Sequence, residues 1–500
     1  MLEDLTLADL GLERLDRAGP NANGDAIVTG IAVDSRQVKD GFVFVAIPGL
    51  KLDGAEFAQY AVRQGASAVV ITPTGLEKAK KDIGDLPIPF FLTDQPRLEL
   101  AQLAARFYGR QPKTMIAVTG TNGKTSVAEF TRQIWHNLGH PAASFGTTGV
   151  IGEGFEDPLD MTTPEPVTLH ALLARLADKG CTHAAMEASS HGLAQYRIDG
   201  VNFAAAGLTN ITRDHMDYHS DQDDYVGAKL RLFHSVLPRD GVAVLNSDDP
   251  VFPLARMSLA GRPMISVGRS GGATLRLTKT RFRADGQDIS FVWKNEVYSA
   301  ALSLIGGFQA DNALLAAGLA IATEERPDEV FASLPNLTGV RGRMELAGRR
   351  ATGASVYVDY SHTPDALKTA LSALRPHVSG RLIVAGGAGG DRDPGKRPLM
   401  GQAMHHGADA VIVTDDNPRS EDPAMIRAAV VQGAPDADNI GDRAEAILSG
   451  VDALRSSGDC LLIAGKGHEQ GQEIGGTTIP FDDVEQARAA IAALDGLDEE

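Results

Sequence analysis

The sequence predicts an α/β protein of three domains: a small α/β unit over residues 1–96, a central domain with a mostly parallel sheet over 97–338, and a Rossmann-like α/β domain over 339–500. Three observations predict this. Five hundred residues exceed what one hydrophobic core holds and correspond to roughly three domains. Apolar strand-like runs alternate with amphipathic helical patterns, the rhythm of βα units. Polar, Gly-rich clusters follow the strands at their carboxyl ends, where open α/β sheets bind ligands. Two of the domains present such an edge, and the simplest arrangement has the two edges facing each other across a cleft.

The elements follow in order. "MLEDLTLADLGLERL" is acidic and helical in pattern. It has neither a basic n-region nor an apolar h-region, so it is not expected to act as a signal peptide. From Asp34 to Asp94, "GFVFVAI", "ASAVVI" and "IPFFLT" read as strands around one helical stretch, "GAEFAQYAVRQGA". The helical "PRLELAQLAARFYG" leads into the strand "TMIAVTG". The central domain carries "TGTNGKT", "MEASSHG", "TNITRDHMDYH" and "LNSDD" after its strands. "FASLPNLTGVRGRME" has no sustained periodicity and marks the second boundary. The last domain repeats the rhythm with "SVYVDY", "RLIVAGG", "ADAVIVT" and "DCLLIAG", followed by "DYSHTP", "GGAGGDRDPGKR", "TDDNPRSEDP" and "GKGHEQ".

Composition narrows the function. A net charge of −18 argues against a nucleic-acid partner, which calls for a basic face. The two cysteines, Cys181 and Cys460, are too few for a disulfide framework and are expected as buried free thiols in a reducing compartment. No apolar run reaches the ~18 residues of a membrane span. The expectation is a cytoplasmic protein, with a monomer as the default.

The chemistry begins at "VTGTNGKTS", residues 118–126. A strand, a glycine loop, Lys-Thr and then a helix is the context of a P-loop. The backbone N–H groups of Gly120, Thr121, Asn122, Gly123 and Ser126 would surround phosphate oxygens. Lys124 would reach the β- and γ-phosphates, and Thr125 would offer its hydroxyl to Mg²⁺. The spacing departs from the usual pattern, since Val118 stands six residues before the lysine. Glu187, ending "CTHAAME", and His215, in "TRDHMDYH", come off the same sheet edge and could reach that metal. Helical spacing places Tyr225, Lys229 and Phe233 on one face; from pattern alone an apolar-flanked Lys229 is expected to snorkel to solvent.

"GTNGKTS", with "EASSHGL", "RDHMDYH" and "AKLRLF" after it, resembles the Mur ligases, ATP-dependent amide ligases that build the peptide of bacterial cell-wall precursors. "VDSRQVKDGFVFVAIPG" looks like the UDP-binding start of the member that adds the third residue, and "MTTPEP", "GRMEL", "VDYSHTPDAL", "GGDRDPGKRPLMG" and "GKGHEQ" resemble its later motifs. The resemblance spans the chain. It implies that Lys124 and Thr125 bind ATP and Mg²⁺ and that Glu187 and His215 are metal ligands. It also implies that Lys229 is carbamylated and supports a second Mg²⁺, against the snorkelling expectation. Asn312, Arg343 and Asp359 match nucleotide contacts. Ser35 matches a uridine contact, and Thr162, Thr163, Ser189, Gln195 and Arg197 match contacts to the muramoyl peptide. Ala55 replaces a histidine common in the family, and Gln309 an asparagine.

"DDNPRS", residues 415–420, resembles the loop of ligases that add meso-diaminopimelate; lysine-adding relatives lack its arginine. Diaminopimelate carries a distal carboxylate that lysine does not, and a guanidinium fork can pair with it bidentately. Pro418 stiffens the turn that aims Arg419. Arg392, Asp416, Asn417, Gly465 and Glu469 match the family's other contacts to this amino acid. The implied substrates are UDP-N-acetylmuramoyl-L-Ala-D-Glu, meso-diaminopimelate and ATP, and the implied role is peptidoglycan synthesis, with cell shape and division depending on it. A folylpolyglutamate-type ligase shares the ATPase core, a non-ligase P-loop switch is a reading of another class, and a dinucleotide oxidoreductase rests on "GGAGGD" alone.

Overall fold

The computed structural model describes residues 5–20, 26–49, 52–212, 214 and 218–496. The chain divides into two compact units: residues 1–124, 131–265 and 319–325 form one, and residues 125–130, 266–318 and 326–500 the other.

The first unit holds two sheets. The smaller runs Asp16–Ala18, Phe90–Leu92, Ala68–Ile71, Phe42–Val45, Gly30–Ala32, parallel except for its first strand. The expected strands are present. A helix at Pro73–Ile83 was not foreseen: Thr72 caps it by accepting from Gly75 N, Pro73 opens it, and its solvent face is lysine-rich. Of the stretch expected to be helical at the N-terminus, residues 1–4 lie outside the described residues, and residues 5–15 form turns and a 3₁₀ turn, Leu12–Arg14.

The larger sheet contributes Val242–Asn246, Ala205–Leu208, Thr114–Thr119, His183–Glu187 and Ala142–Gly146 as parallel neighbours, with Gly149–Gly152 and Phe155–Asp157 added antiparallel. Register decides where the chemistry falls. His183 pairs with Thr114 and Glu187 with Val118, while Leu208 pairs with Thr119 and Leu245. The Gly-rich and acidic loops therefore leave one edge together. Met115, Met186, Leu208, Leu169, Leu173 and Phe233 share the core that fixes this register.

In the second unit, Glu345–Arg349, Ser355–Asp359, Cys460–Ala464, Leu382–Gly386, Ala410–Val413 and Asp438–Asn439 form a six-stranded sheet, parallel except for the first pairing. Alternate residues of one strand face opposite cores: Leu462 and Val384 pack with Leu371 and Met404, whereas Leu461, Ile463 and Ile383 pack with Ile447 and Val484. Burial on both faces is why these strands read as unbroken apolar runs. The helices start on caps, Thr363 accepting from Ala366 N and Asp442 from Glu445 N. The unit also holds an antiparallel meander, Leu275–Arg283, Gly286–Trp293, Glu296–Leu302, where βα alternation was expected.

Cys460 is buried and Cys181 only partly so; both are free. Among the described residues, no helix is long and apolar enough to cross a membrane.

Candidate active site

The loop after Thr119 is built to be rigid. Gly120 has φ +147°, and a Cβ there would overlap Thr209 Oγ1; only glycine fits. Gly123 takes a left-handed conformation (φ +87°) as it caps the helix Lys124–Asn137. The loop is laced to the next strand's carboxyl end. Thr121 N donates to Asn210 O at 2.6 Å. Asn122 N donates to Asn210 Oδ1 (3.1 Å), and Asn122 O accepts from Asn210 Nδ2 (3.0 Å) and Thr209 Oγ1 (2.6 Å). Thr121 Oγ1 lies 2.9 Å from the Tyr225 hydroxyl. Lys124 Nζ donates to Gly120 O (3.0 Å) and Thr121 O (2.8 Å). Thr125 and Ser126, the next residues of the helix, are buried.

Lys229 does not snorkel. It is 1% exposed, with Nζ donating to Gly120 O at 2.8 Å and lying over the Tyr225 ring. Burial, followed by the charge of Lys124, drives its ammonium well below the usual lysine range, with Asp214 opposing. The expected face is real, since Tyr225, Lys229 and Phe233 are all buried. A π-helical turn, Leu232–Val236, follows the α-helix Gln222–Arg231 that carries the lysine.

Glu187 ends its strand 1% exposed. Its carboxylate accepts from Thr147 N (2.8 Å) and Thr147 Oγ1 (3.4 Å), two neutral donors. A buried carboxylate with no cationic side chain as hydrogen-bond partner among the described residues fits a site that takes a metal ion. His215, the other expected ligand, lies outside the described residues. With Thr125, and with the carbamate that the resemblance implies on Lys229, the donors would be mostly oxygen, a set that would suit Mg²⁺.

The expected peptide contacts form one network beside Glu187. Thr163 Oγ1 lies 3.0 Å from Glu187 O and 3.0 Å from Ser189 Oγ, and Ser189 caps the short helix Ser190–Ala194. Arg197 donates to Thr163 O (2.7 Å) and through Nη2 to Gln195 Oε1 (2.8 Å). Thr162 Oγ1 lies 3.3 Å from Thr147 Oγ1. Ser35 is buried at the start of a 3₁₀ turn capped by Asp34. Ala55 is buried in the Gly54–Phe57 turn.

In the second unit, the loops at the parallel carboxyl ends interlock. Arg419 adopts φ +53°, a strained conformation for a residue with a Cβ. Its backbone bridges the Gly471–Ile474 strand, with N donating to Glu473 O (2.9 Å). Its Nε donates to Glu473 Oε2 (3.1 Å) and its Nη1 to Gly390 O (2.8 Å). Glu421, two residues on, pairs with Arg397 (2.7 Å) and not with Arg419. Among the described residues Nη2 donates to no protein group. Gly390 N donates to Asn417 O, and a Cβ on Gly390 would overlap Pro418 O. Asn417 receives Lys466 Nζ (3.0 Å) and Glu473 N (3.0 Å) on Oδ1 and donates to Glu469 Oε2 (2.8 Å). Gly465 has φ +119°, and a Cβ there would overlap Asp416 Oδ2. Arg392 is exposed.

Sequence reasoning missed three supports. Lys466 is fully buried and bonded to both Asn417 and Glu469. Glu473 holds Arg419. Arg443 and Asp483, both fully buried, form a two-bond ion pair (2.7 Å each) from which Arg443 also reaches Asp415 O and Ala464 O. "GKGHEQ" carried a signal for Lys466; the other two depend on remote pairing.

The nucleotide-matching residues divide. Asp359 accepts from Met344 N (2.8 Å) and pairs with Ser361, and burial pushes its carboxyl up. Arg343 lies over the Tyr360 ring, with a buried Nε that has no hydrogen-bond partner among the described residues. Asn312 is bonded to Gln309 (3.0 Å), so the departure noted in the sequence sits directly on an expected contact.

A P-loop on a parallel sheet, a buried lysine and carboxylate beside it, and a Rossmann-like unit ending in an arginine turn define the class. The chain belongs to the Mur ligase family. The family's catalytic domain matches residues 27–108, its middle domain 118–320 and its glutamate ligase domain 342–467. The particular likeness is to UDP-N-acetylmuramoyl-L-alanyl-D-glutamate–2,6-diaminopimelate ligases. That of Mesorhizobium japonicum is 51% identical over 94% of this chain and 96% of its own, and that of Chelativorans sp. 50% over 94% and 95%. A solved ligase of the same name superposes with TM-score 0.73 at 33% identity, covering 98% of this chain and 99% of its own. A folylpolyglutamate synthase of Mycobacterium tuberculosis shares the fold, with TM-score 0.60 at 20% identity over 81% of this chain and 96% of its own.

Proposed function

We propose that the chain joins meso-diaminopimelate to the D-glutamate side-chain carboxylate of UDP-N-acetylmuramoyl-L-Ala-D-Glu, converting ATP to ADP and phosphate, as a step of peptidoglycan synthesis. The single observation that carries the choice of amino acid is the Arg419 fork. It is fixed by Glu473 and Gly390, with Nη2 left to pair with a second carboxylate. Asn417 and Glu469 would hold the distal ammonium, with Lys466 and Asp416 setting their positions.

A free carboxylate does not accept an amine, because the departing group would be oxide. In the proposed reaction a carboxylate oxygen attacks the γ-phosphorus as the bond to the β-phosphate oxygen breaks, giving an acyl phosphate and ADP. The diaminopimelate amine then attacks the carbonyl carbon, phosphate leaves with the carbon–oxygen bond pair, and the nitrogen loses a proton. Lys124, now bonded to loop carbonyls, would turn to the β- and γ-phosphates, and the loop N–H groups would hold phosphate oxygens. Thr163, Ser189 and Arg197 would orient the peptide. Bound Mg²⁺, held by Thr125, Glu187, His215 and carbamylated Lys229, would neutralise charge between the triphosphate and the carboxylate. Burial disfavours the charged form of Lys229, which would favour carbamylation, in which the neutral amine attacks CO₂ and releases a proton. Asn312, Arg343 and Asp359 would contact the nucleotide and Ser35 the uridine.

The reading includes domains at 1–96, 97–338 and 339–500, a monomer, and a cytoplasmic location, where ATP and UDP-linked sugars are found. Domain closure would exclude water from the acyl phosphate; unchanged small-angle scattering on adding substrates would contradict that. The ligase chemistry is tested by ¹⁸O in the D-glutamate side-chain carboxylate. One label should appear in released phosphate for each amide formed, and unlabelled phosphate would reject the acyl phosphate.

A further inference from the structure

At the other end of the strand that delivers Glu187, roughly 13 Å away at ~3.3 Å per residue, three metal-ligating side chains converge. His140 Nε2 lies 2.9 Å from Glu325 Oε1, His183 Nε2 lies 3.9 Å from the same oxygen, and the ligand atoms all fall within 4.8 Å of one another. None belongs to the machinery assigned above. We propose that His140, His183 and Glu325 form a zinc-type divalent cation site, separate from the phosphate-loop metal, with water in the fourth position.

The local folding of each residue supports this. His140 and Glu325 occupy the same position in two helix-ending motifs. Helix Lys124–Asn137 closes with Gly139 N donating to His136 O and His140 N to Trp135 O, with Gly139 at φ +88°. The Gly307–Ala322 helix closes likewise, with Glu324 N donating to Ile321 O, Glu325 N to Ala320 O, and Glu324 at φ +73°. These are Schellman turns. Glu324 holds a left-handed conformation without being glycine, a strain that fixes where Glu325 emerges. Two helix carboxyl ends thus meet, and their dipoles favour a cation there.

His183 is pre-set as a ligand. Thr182 Oγ1 lies 3.3 Å from Pro141 O, to which its hydroxyl donates, and 2.8 Å from His183 Nδ1. In the tautomer that a metal requires, the hydroxyl donates to Pro141 O, Thr182 accepts from Nδ1–H, and Nε2 keeps its lone pair for the ion. Metal-bound histidines are oriented in this way by their second nitrogen. Trp135 packs against the ring, and His140 stacks at 4.2 Å. Tetrahedral zinc with bonds of ~2.0–2.1 Å sets ligand atoms about 3.3 Å apart, so small side-chain rotations close the site. Two imidazoles and one carboxylate suit zinc and not Mg²⁺. An ion here would clip the 319–325 segment to the base of the central sheet.

The test uses the full chain, stripped with chelator, held in excess Mg²⁺ and titrated with Zn²⁺ or Co²⁺. One equivalent of zinc should survive dialysis, and Co²⁺ should show the visible absorption of a tetrahedral site. Both should vanish in His183→Ala and in the partly exposed His140→Gln, while Thr182→Val should weaken binding about tenfold. Far-UV circular dichroism and ligase turnover of His140→Gln should match the unaltered chain. No zinc retained by the folded parent, or equal zinc in parent and His140→Gln, overturns the proposal; in either case the cluster is a hydrogen-bonded histidine–glutamate pair and no more.

Discussion

Replacing Arg419 by alanine isolates one interaction. The backbone is held at φ +53° whether the residue is arginine or alanine, so both carry the same Cβ strain and the folded loop is not relieved by the change. Glu473 and Gly390 lose two hydrogen bonds; the Glu473 side chain is 44% exposed, so water can replace the guanidinium there. What remains is the charge-assisted pair to the second carboxylate of the amino acid. Truncating one partner of such a pair in a desolvated site costs about 2–5 kcal/mol, or roughly 30- to 5,000-fold at 1.36 kcal/mol per decade. The assay is coupled ADP release with saturating ATP and UDP-dipeptide while meso-diaminopimelate is varied. Arg419→Ala should lower kcat/KM within that range and leave the KM for ATP within about twofold. Arg419→Lys keeps the charge but not the fork and should fall between. Unchanged diaminopimelate kinetics, or an equal loss for ATP, would refute the assignment of this side chain to the distal carboxylate.

Three other outcomes follow. Lys229→Met should abolish turnover yet raise Tm in metal- and CO₂-free buffer. The buried ammonium is disfavoured in the folded state, so the parent gains stability as pH rises toward about 10.4, the unfolded lysine value, and the gap between the two should narrow over that range; a variant less stable at pH 7 would contradict this. His377 takes Gly306 N–H on Nε2 (3.1 Å) and lies 2.6 Å from Arg283 O through Nδ1, and burial lowers its pKa. It must stay neutral, so its contribution is whole above about pH 6.5 and lost as pH falls through the lowered folded value; His377→Ala should cost about 1–3 kcal/mol at pH 7.5 in urea unfolding and less at pH 5. Asp483→Ala strands the buried Arg443 guanidinium and should cost about 3–5 kcal/mol, whereas Arg443→Met with Asp483→Leu should recover most of it.

The parallel sheets were legible because strands buried on both faces, such as Cys460–Ala464 and Leu382–Gly386, are unbroken apolar runs, and because punctuation by glycine falls at their ends. The Leu275–Leu302 meander was not. Its outward positions, Lys279, Arg281 and Arg283, break the apolar runs, and its pairing is set by register across three strands. The helix Pro73–Ile83 was hidden by its lysines. At the site, residues adjacent in sequence were readable: the phosphate loop, Glu187 at a strand end, the arginine turn. Glu473 under Arg419, Lys466 under Asn417 and Arg443 with Asp483 lie dozens of residues from what they support, or turn on burial that no local pattern encodes. Lys229 shows the limit most clearly. Its helical face was legible, but whether that face points to water or to the Gly120 carbonyl is decided by the loop packed above it.

The central claim is a ligation that consumes ATP only when the matching amine is present. Purified protein with ATP, Mg²⁺ and UDP-N-acetylmuramoyl-L-Ala-D-Glu should be assayed by mass spectrometry and phosphate release, with meso-diaminopimelate and with L-lysine in parallel. One phosphate should be released per UDP-tripeptide with diaminopimelate, and kcat/KM should be at least ~30-fold lower with lysine. Equal use of the two amino acids, or phosphate released without any tripeptide, would contradict it.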